Sequence, residues 1–196
     1  CLSIIYLCKS VHIFIVNVLI YTVILLLFIF ICCLFNCDCH LMDTTKIVQW
    51  NCRGLSNNLN ELKLLIQKHN PWCIALQETH LVPARACGGV AFLIRQGIPY
   101  KRVKLDTPYQ AVAVQLEISS SLTLCNIYVP NNTYDVQEIG KIVDQLPAPF
   151  ILVGDFNSHS TVWGSRSDDA RGRELLDLIE DKNLSLLNDD SFSYVL

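Results

Sequence analysis

A layered α/β domain, with two packed sheets and helices on their outer faces, is the fold class this sequence predicts for residues 42–196. Three observations predict it. From Lys46 onward, short apolar runs of strand length alternate with amphipathic helical stretches. The strand-like runs outnumber the helical ones, which favours two sheets over one. No internal repeat or low-complexity tract interrupts this part of the chain. A chain of 196 residues is long enough to bury a substantial core.

In chain order, Lys46–Trp50 reads as a strand and Asn60–His69 as a helix with Leu62, Leu65 and Ile66 on one face. Asn70-Pro71 ends that helix, because a proline disfavours helical geometry in the residue before it. Ile74–Gln77 is a buried strand, and Gly88–Ile94 and Ala111–Ile118 are strands, the second weakly alternating. Leu122–Val129 is the hairpin partner of 111–118 across Ser119–Ser121. A helix over Tyr134–Leu146 is closed by Pro147, and Phe150–Val153 is a fully apolar central strand. The last helix, Ala170–Asp181, turns Leu175, Leu176 and Ile179 inward.

Residues 1–41 differ sharply. Val11 to Phe35 is almost wholly Val, Ile, Leu and Phe, broken by His12, Asn17 and Thr22. As a helix it would span roughly 37 Å, more than a bilayer core of about 30 Å. Read this way, the segment is a transmembrane helix preceding the domain and the location is a membrane. Lys9 before it and Asp38 after it orient the first end to the cytoplasm. The other reading starts the protein at Met42, the single methionine, with 1–41 as translated upstream sequence. In that case the expected location is nuclear or cytoplasmic.

Six of the ten cysteines lie within the first 39 residues. Cys32, Cys33, Cys37 and Cys39 match no paired Cys-x-x-Cys spacing, so they do not announce a zinc site. Cys52, Cys73, Cys87 and Cys125 read as reduced residues, mostly in apolar context. Trp50, Trp72 and Trp163 read as core or wall residues. The net charge of −3 is scattered and forms no basic stripe. Nucleic-acid binding would therefore rest on local Lys and Arg within a cleft.

The chemistry concentrates in four runs, each placing polar residues after an apolar strand. These are Ile47-Val48-Gln49-Trp50-Asn51-Cys52-Arg53-Gly54, Ile74-Ala75-Leu76-Gln77-Glu78-Thr79-His80, Leu124-Cys125-Asn126-Ile127-Tyr128-Val129-Pro130-Asn131 and Phe150-Ile151-Leu152-Val153-Gly154-Asp155-Phe156-Asn157-Ser158-His159. Strand ends are where side chains leave the core and converge on a ligand. Glu78, at a buried strand's end, suits a hard divalent cation, or else a salt bridge to an Arg. Asp155 and Asn157 follow Gly154, which lets the chain turn; a carboxylate beside an amide can orient water and donate to a phosphate oxygen. The same pair also suits an ordinary turn. Asn51 and Tyr128 can hydrogen-bond a phosphate oxygen or hold a metal ligand, and singly each also fits a structural role. His159 is a candidate substrate contact or a surface residue.

Gln-Trp-Asn-Cys-Arg-Gly, Gln-Glu-Thr-His, Ile-Tyr-Val-Pro-Asn and Gly-Asp-Phe-Asn-Ser-His resemble the motifs of the endonuclease/exonuclease/phosphatase superfamily. Gly-Asp-Phe-Asn-x-His followed by Trp163-Gly164-Ser165, with the run Cys87–Ile94, most resembles the apurinic-type endonuclease of non-LTR (LINE, jockey-like) retrotransposons. The resemblance covers about Thr45 to Leu196. It implies a four-layer α/β sandwich and magnesium-dependent hydrolysis of a DNA phosphodiester, with Mn²⁺ as a substitute ion. By motif position, Glu78 is the metal ligand, with Asn51 supporting the metal or phosphate site. Tyr128 contacts the phosphate, Asp155 positions or activates the attacking water, and Asn157 stabilises charge at phosphorus. Asn131 and His159 join Asn51 as substrate-binding candidates.

Relatives of this kind nick target DNA to prime a reverse transcriptase, a region expected downstream and absent from these residues. The family pattern closes with Ser-Asp-His, not reached by Leu196, and the link from His80 to Gly88 is shorter than the family's. The expectation is therefore an incomplete sandwich with impaired activity. Two alternatives remain: a lipid or inositol phosphate phosphodiesterase of the same superfamily, and a membrane-anchored inactive pseudoenzyme.

Overall fold

The computed structural model describes residues 2–6, 13–16, 45–81, 88–118 and 120–188. Among these described residues, ten strands form two sheets: β1 (Leu2–Tyr6), β2 (Ile13–Val16), β3 (Thr45–Asn51), β4 (Cys73–Gln77), β5 (Val90–Ile94), β6 (Tyr100–Val103), β7 (Gln110–Glu117), β8 (Ser121–Tyr128), β9 (Phe150–Asp155) and β10 (Ser185–Leu186). The first sheet has the order β1-β3-β4-β5 and the second β10-β2-β9-β8-β7-β6. Three α-helices flank them: α1 (Leu59–His69), α2 (Val136–Gln145) and α3 (Ala170–Asp181).

Period-2 burial makes this a four-layer arrangement. Along β3 and β4, Val48, Trp50, Ile74 and Leu76 face outward and pack with Leu62 and Leu65 of α1. The alternate residues Ile47, Cys73 and Ala75 face inward and meet Val114, Leu124, Ile151 and Val153 of the second sheet. On the far side, Cys125, Ile127 and Leu152 pack against Ile139, Ile142, Leu175 and Ile179 of α2 and α3. Each sheet is thus covered on both faces, and the expected sandwich of two mixed sheets between helices is what the chain forms.

Local signals end the elements where the chemistry requires. Asn70 adopts a left-handed conformation (φ 42°) after α1 and returns its N–H to the Ile66 carbonyl at 2.8 Å. Asp135 caps α2 by accepting from the Gln137 N–H, and Asp169 caps α3 by accepting from the Gly172 N–H at 2.7 Å. Ile66, expected on the buried face of α1, is 42% exposed. The packed stripe is Leu62 and Leu65, because the first sheet meets α1 along one narrow ridge. In α3 the fully inward residues are Leu175, Leu178 and Ile179, with Leu176 half-buried.

The membrane helix expected over residues 11–35 is corrected where the structure describes it. Ile13–Val16 is a strand, antiparallel to both β9 and β10, and Leu2–Tyr6 runs parallel to β3. No helix among the described residues is long and apolar enough to cross a membrane, so the membrane location read from hydropathy does not stand. Hydropathy measures transfer from water and is blind to whether an apolar run is coiled or extended. A run rich in β-branched Ile and Val can satisfy its backbone laterally in a sheet. Residues 7–12 and 17–44 lie outside the described residues, as does Cys87.

The remaining cysteines of this part, Cys52, Cys73 and Cys125, are free and buried. Burial pushes the thiols of Cys73 and Cys125 up to about 12 and that of Cys52 up to about 11. A thiolate is the reactive species, so all three are expected to resist alkylation at pH 8 in the native protein and to react once denatured. Site-resolved mass spectrometry after iodoacetamide treatment checks this; native labelling of Cys73 or Cys125 would mean that the sandwich opens.

Candidate active site

Four strands deliver the candidate residues: Asn51, Tyr128 and Asp155 by the inward parity of β3, β8 and β9, and Glu78 by a left-handed turn (φ 50°) directly after the inward-facing Gln77 of β4. β3 and β4 are parallel with Asn51 level with Gln77, and β8 and β9 are parallel with Tyr128 level with Asp155. Towards the ends of these strands the inward positions change from Ile, Ala, Leu and Val to amides, then to Asn51, Tyr128 and Asp155. The gap between the sheets is therefore greasy in its depth and polar at its rim. Four runs far apart in sequence meet there.

At the centre is the Asn51 amide, 2% exposed. Its Nδ2 donates to Glu78 Oε1 at 2.8 Å and to Asp155 Oδ2 at 2.8 Å. Its Oδ1 accepts the Arg53 backbone N–H at 3.2 Å. One side chain of the first sheet thus holds a carboxylate from each sheet, both within hydrogen-bond reach of a single nitrogen. Two carboxylates brought this close repel each other unless donors or a cation lie between them.

The backbone around Glu78 is strained and tied down. Glu78 (φ 50°), His80 (φ 50°), Arg53 (φ 43°) and Asn157 (φ 48°) all sit in the left-handed region. Non-glycine residues occupy it sparingly, and where they do the surrounding structure must hold them there. The Glu78 carbonyl accepts from Gly54 N–H at 2.8 Å, and the Thr79 carbonyl accepts from Leu55 N–H at 3.0 Å. On the other side, Thr79 and His80 donate to the carbonyls of Gly89 and Gly88. The link between β4 and β5 is thus stitched on both flanks of the carboxylate.

Asp155, 4% exposed, has its pKa raised above the ordinary carboxylate range. Burial is the main cause, and the neighbouring Glu78 charge adds to it. Hydrogen bonds from Asn51 and from the Asn157 N–H (3.1 Å), with the charge of Arg53, act in the opposite direction. Asn157 gives one amide N–H to the Val129 carbonyl at 2.9 Å, tying the turn after β9 to the end of β8. Tyr128, 8% exposed, lies beside Asp155 across the β8–β9 pair.

Arg171 in the first turn of α3 was not singled out by sequence, and it organises the outer rim. Its guanidinium donates to the Asn131 backbone carbonyl, to Asn131 Oδ1 at 3.4 Å and to the Asn157 carbonyl at 3.2 Å. It also stacks 4.9 Å from the centroid of the Tyr134 ring. A cation in the first turn of a helix is unfavourable towards the helix dipole, and that anomaly is the signal sequence reading missed. His159 is exposed, and its carbonyl accepts from the Asp169 N–H at 2.9 Å. The structure thus gathers Asn51, Glu78, Asp155 and Tyr128 at the strand ends, with Asn157 and Asn131 on the adjoining loops. It places His159 further along the loop towards α3.

Among the described residues no three His, Cys, Asp or Glu side chains cluster as a metal site. The donors that do converge are two carboxylates with an amide between them. That set fits a hard divalent cation of the magnesium type, which takes one or two protein carboxylates and completes its shell with water and substrate phosphate oxygens. Glu78, partly exposed and aimed at the rim, would hold it. Asn51 meets both carboxylates as a donor, which makes it the residue that sets their spacing.

A family model described as endonuclease-reverse transcriptase matches residues 122–194. Among curated proteins, the probable RNA-directed DNA polymerase from transposon X-element of Drosophila melanogaster is 26% identical over 160 residues, covering 68% of this chain and 17% of that protein. The RNA-directed DNA polymerase from mobile element jockey of Drosophila funebris is 24% identical over 166 residues, covering 74% of this chain and 18% of that protein. The chain therefore spans less than a fifth of the length of these relatives. Among solved structures, the endonuclease domain of TRAS1, a telomere-specific non-LTR retrotransposon, superposes with a TM-score of 0.62 at 19% identity, covering 74% of this chain and 75% of that one.

Proposed function

Because this chain belongs to the endonuclease/exonuclease/phosphatase superfamily, on its non-LTR retrotransposon side, we propose that it hydrolyses a DNA phosphodiester at the Glu78–Asn51–Asp155 centre. The observation that carries the reading is the single amide of Asn51 bonded at 2.8 Å to carboxylates from two different sheets. A core amide joining the two acids of a sandwich rim has no evident packing purpose. Drawing two acids together is unfavourable for folding and useful for binding a cation.

Glu78 holds a divalent cation, Mg²⁺ or Mn²⁺. When bound, such an ion neutralises charge developing on the phosphoryl group and polarises it towards attack. The chain's own residues supply the rest. Asp155 orients the attacking water and takes its proton; burial, by raising its pKa, makes it a better acceptor than an exposed Asp. Asn157 has given one amide N–H to Val129, and the other is the donor assigned to a phosphoryl oxygen. Tyr128, level with Asp155, contacts the phosphate, and Asn131 and His159 contact the strand beyond it. In that reading the nick leaves a 3′ end for a reverse transcriptase region to extend.

The test is conversion of supercoiled plasmid to open circles by the full chain. Open circles are expected with Mg²⁺ or Mn²⁺, and none with EDTA. Folded protein that leaves the plasmid intact in both metals, or that nicks equally well in EDTA, overturns the proposal.

A further inference from the structure

Directly beneath the rim lies a layer of three buried amides. Gln49, Gln77 and Asn126 are 2%, 0% and 0% exposed. Gln49 Nε2 donates to Gln77 Oε1, and Gln77 Nε2 donates to Asn126 Oδ1. Asn126 Nδ2 then donates to the backbone carbonyls of Leu76 at 2.9 Å and Ala91 at 3.0 Å. Asn126 belongs to β8 of the second sheet, and its partners belong to β4 and β5 of the first. The chain of bonds therefore crosses from one sheet to the other through the middle of the sandwich.

The position of each amide is informative. Gln49 is two residues before Asn51, Gln77 is immediately before Glu78, and Asn126 is two residues before Tyr128. Asn126 is also level with Val153, two residues before Asp155 on the neighbouring strand. On β3 and β8 the amide thus lies one inward step below the proposed site, and on β4 Gln77 is level with Asn51 and directly precedes Glu78. One step deeper, the inward positions are apolar: Ile47, Ala75, Leu124 and Ile151. Apolar contacts resist separation of two sheets but resist sliding weakly, whereas a hydrogen-bonded amide chain has one satisfied register.

We infer that Gln49, Gln77 and Asn126 are positioning residues that lock the register of one sheet against the other. They thereby set the distance at which Asn51 bridges Glu78 and Asp155. This rests on the proposed function for its chemical meaning, and it concerns residues that touch neither metal nor substrate. An apolar replacement leaves the sandwich assembled and lets its two halves settle in a slightly different register.

The test compares Asn126→Leu with Leu124→Ala, a substitution one step deeper on the same strand and face. Gln77→Met is the milder second variant, since it leaves the Asn126 bonds to Leu76 and Ala91 in place. Three quantities are measured on the full chain: the Mn²⁺ dissociation constant by titration calorimetry, the thermal midpoint, and kcat and KM for nicking. Asn126→Leu and Gln77→Met are expected to weaken Mn²⁺ binding and lower kcat by about 10–100-fold, the range for residues that orient metal ligands. KM for DNA stays near its original value, and the double variant loses no more than the worse single one. Leu124→Ala is expected to lower the thermal midpoint while leaving Mn²⁺ affinity within about twofold, because it removes packing and no orienting bond.

If all variants lose Mn²⁺ affinity in proportion to their loss of stability, or both amide variants unfold, the layer is a stability feature and the inference is overturned. Wild-type protein that binds Mn²⁺ without nicking overturns the proposed function alone, and the Mn²⁺ affinities of the variants still decide the inference. Wild-type protein that does not bind Mn²⁺ overturns both.

Discussion

Glu78→Gln and Asp155→Asn are each expected to lower metal-dependent nicking by about 10²–10⁴-fold, the loss typical of removing one acid–base or charge-stabilising group. The two losses differ in kind. Glu78→Gln removes a charge that holds the cation, so part of its activity returns at high Mn²⁺ concentration. Asp155→Asn leaves Glu78 in place and removes the proton acceptor, so extra metal restores little. Plasmid nicking over a range of Mn²⁺ concentrations separates the two; equal rescue of both would show that Asp155 is a metal ligand only.

Stability gives the same substitution a second, opposite signature. The Asp155 carboxyl is raised above its ordinary 3.8 in the folded protein, chiefly by burial. The folded state therefore binds the proton more tightly than the unfolded state does, and stability falls as pH rises from the unfolded pKa through the folded one. At neutral pH the full penalty is present. Asn at this position removes the charge and keeps one of the two oxygens, so it retains the bond from Asn51 or the one from the Asn157 N–H but not both, a loss of about 0.5–1.5 kcal/mol set against relief of the burial penalty. The thermal midpoint of Asp155→Asn at pH 7 without metal is thus expected to equal or exceed that of the parent, with any advantage shrinking as the pH is lowered towards 4. A midpoint several degrees below the parent would mean that the buried charge stabilises the fold, against the site reading.

Gly154→Ala is expected to be among the most damaging single methyl groups in the described residues, together with Gly172→Ala, whose Cβ would lie 1.9 Å from the His159 carbonyl oxygen. Gly154 sits on β9 between Val153 and Asp155, and a Cβ there would lie 2.1 Å from the Ile127 carbonyl oxygen and 2.6 Å from Ile127 Cγ2. The obstructing atom is backbone of β8, level with Gly154 in the parallel pair, so no side-chain rotation relieves it. Overpacking of this kind costs about 1–3 kcal/mol and sometimes more. Because the displaced segment carries Asp155, nicking should fall along with stability. Gly140→Ala in α2 is the natural contrast: its Cβ would meet the flexible Leu178 Cδ1 at 3.2 Å, and alanine is favoured within a helix by about 1 kcal/mol. Circular-dichroism melts should show a large drop for Gly154→Ala and little change for Gly140→Ala. Equal melts would mean that β8 and β9 are not packed as described.

The strand-end residues of the candidate site were legible in sequence because chemistry at a strand end needs few residues in fixed order. Apolar strand followed by Asn51, by Glu78, by Tyr128 and by Gly154-Asp155 is a local statement each time, and locality is what a linear text preserves. Gln49, Gln77 and Asn126 stood within the same runs and passed without notice. A buried amide is defined by what lies across from it, and the partner of Asn126 is about fifty residues away, on another sheet. Arg171 escaped for the same reason: its role is to hold Asn131 and Asn157, far from it in the chain.

The limits fall along one line. The sequence by itself determined the layered α/β class, the helices α1 to α3 to within a few residues, the β7–β8 hairpin and the motif residues, because periodicity, caps and turns act over a few positions. Tertiary structure alone decided which of Leu62, Leu65 and Ile66 is buried, and that Ile13–Val16 joins the edge of β9 as a strand. It also decided that one amide, Asn51, stands between two carboxylates. Those outcomes depend on which surfaces meet and in what register, and register between distant segments is selected by packing and hydrogen bonding that exist only once the sheets have stacked.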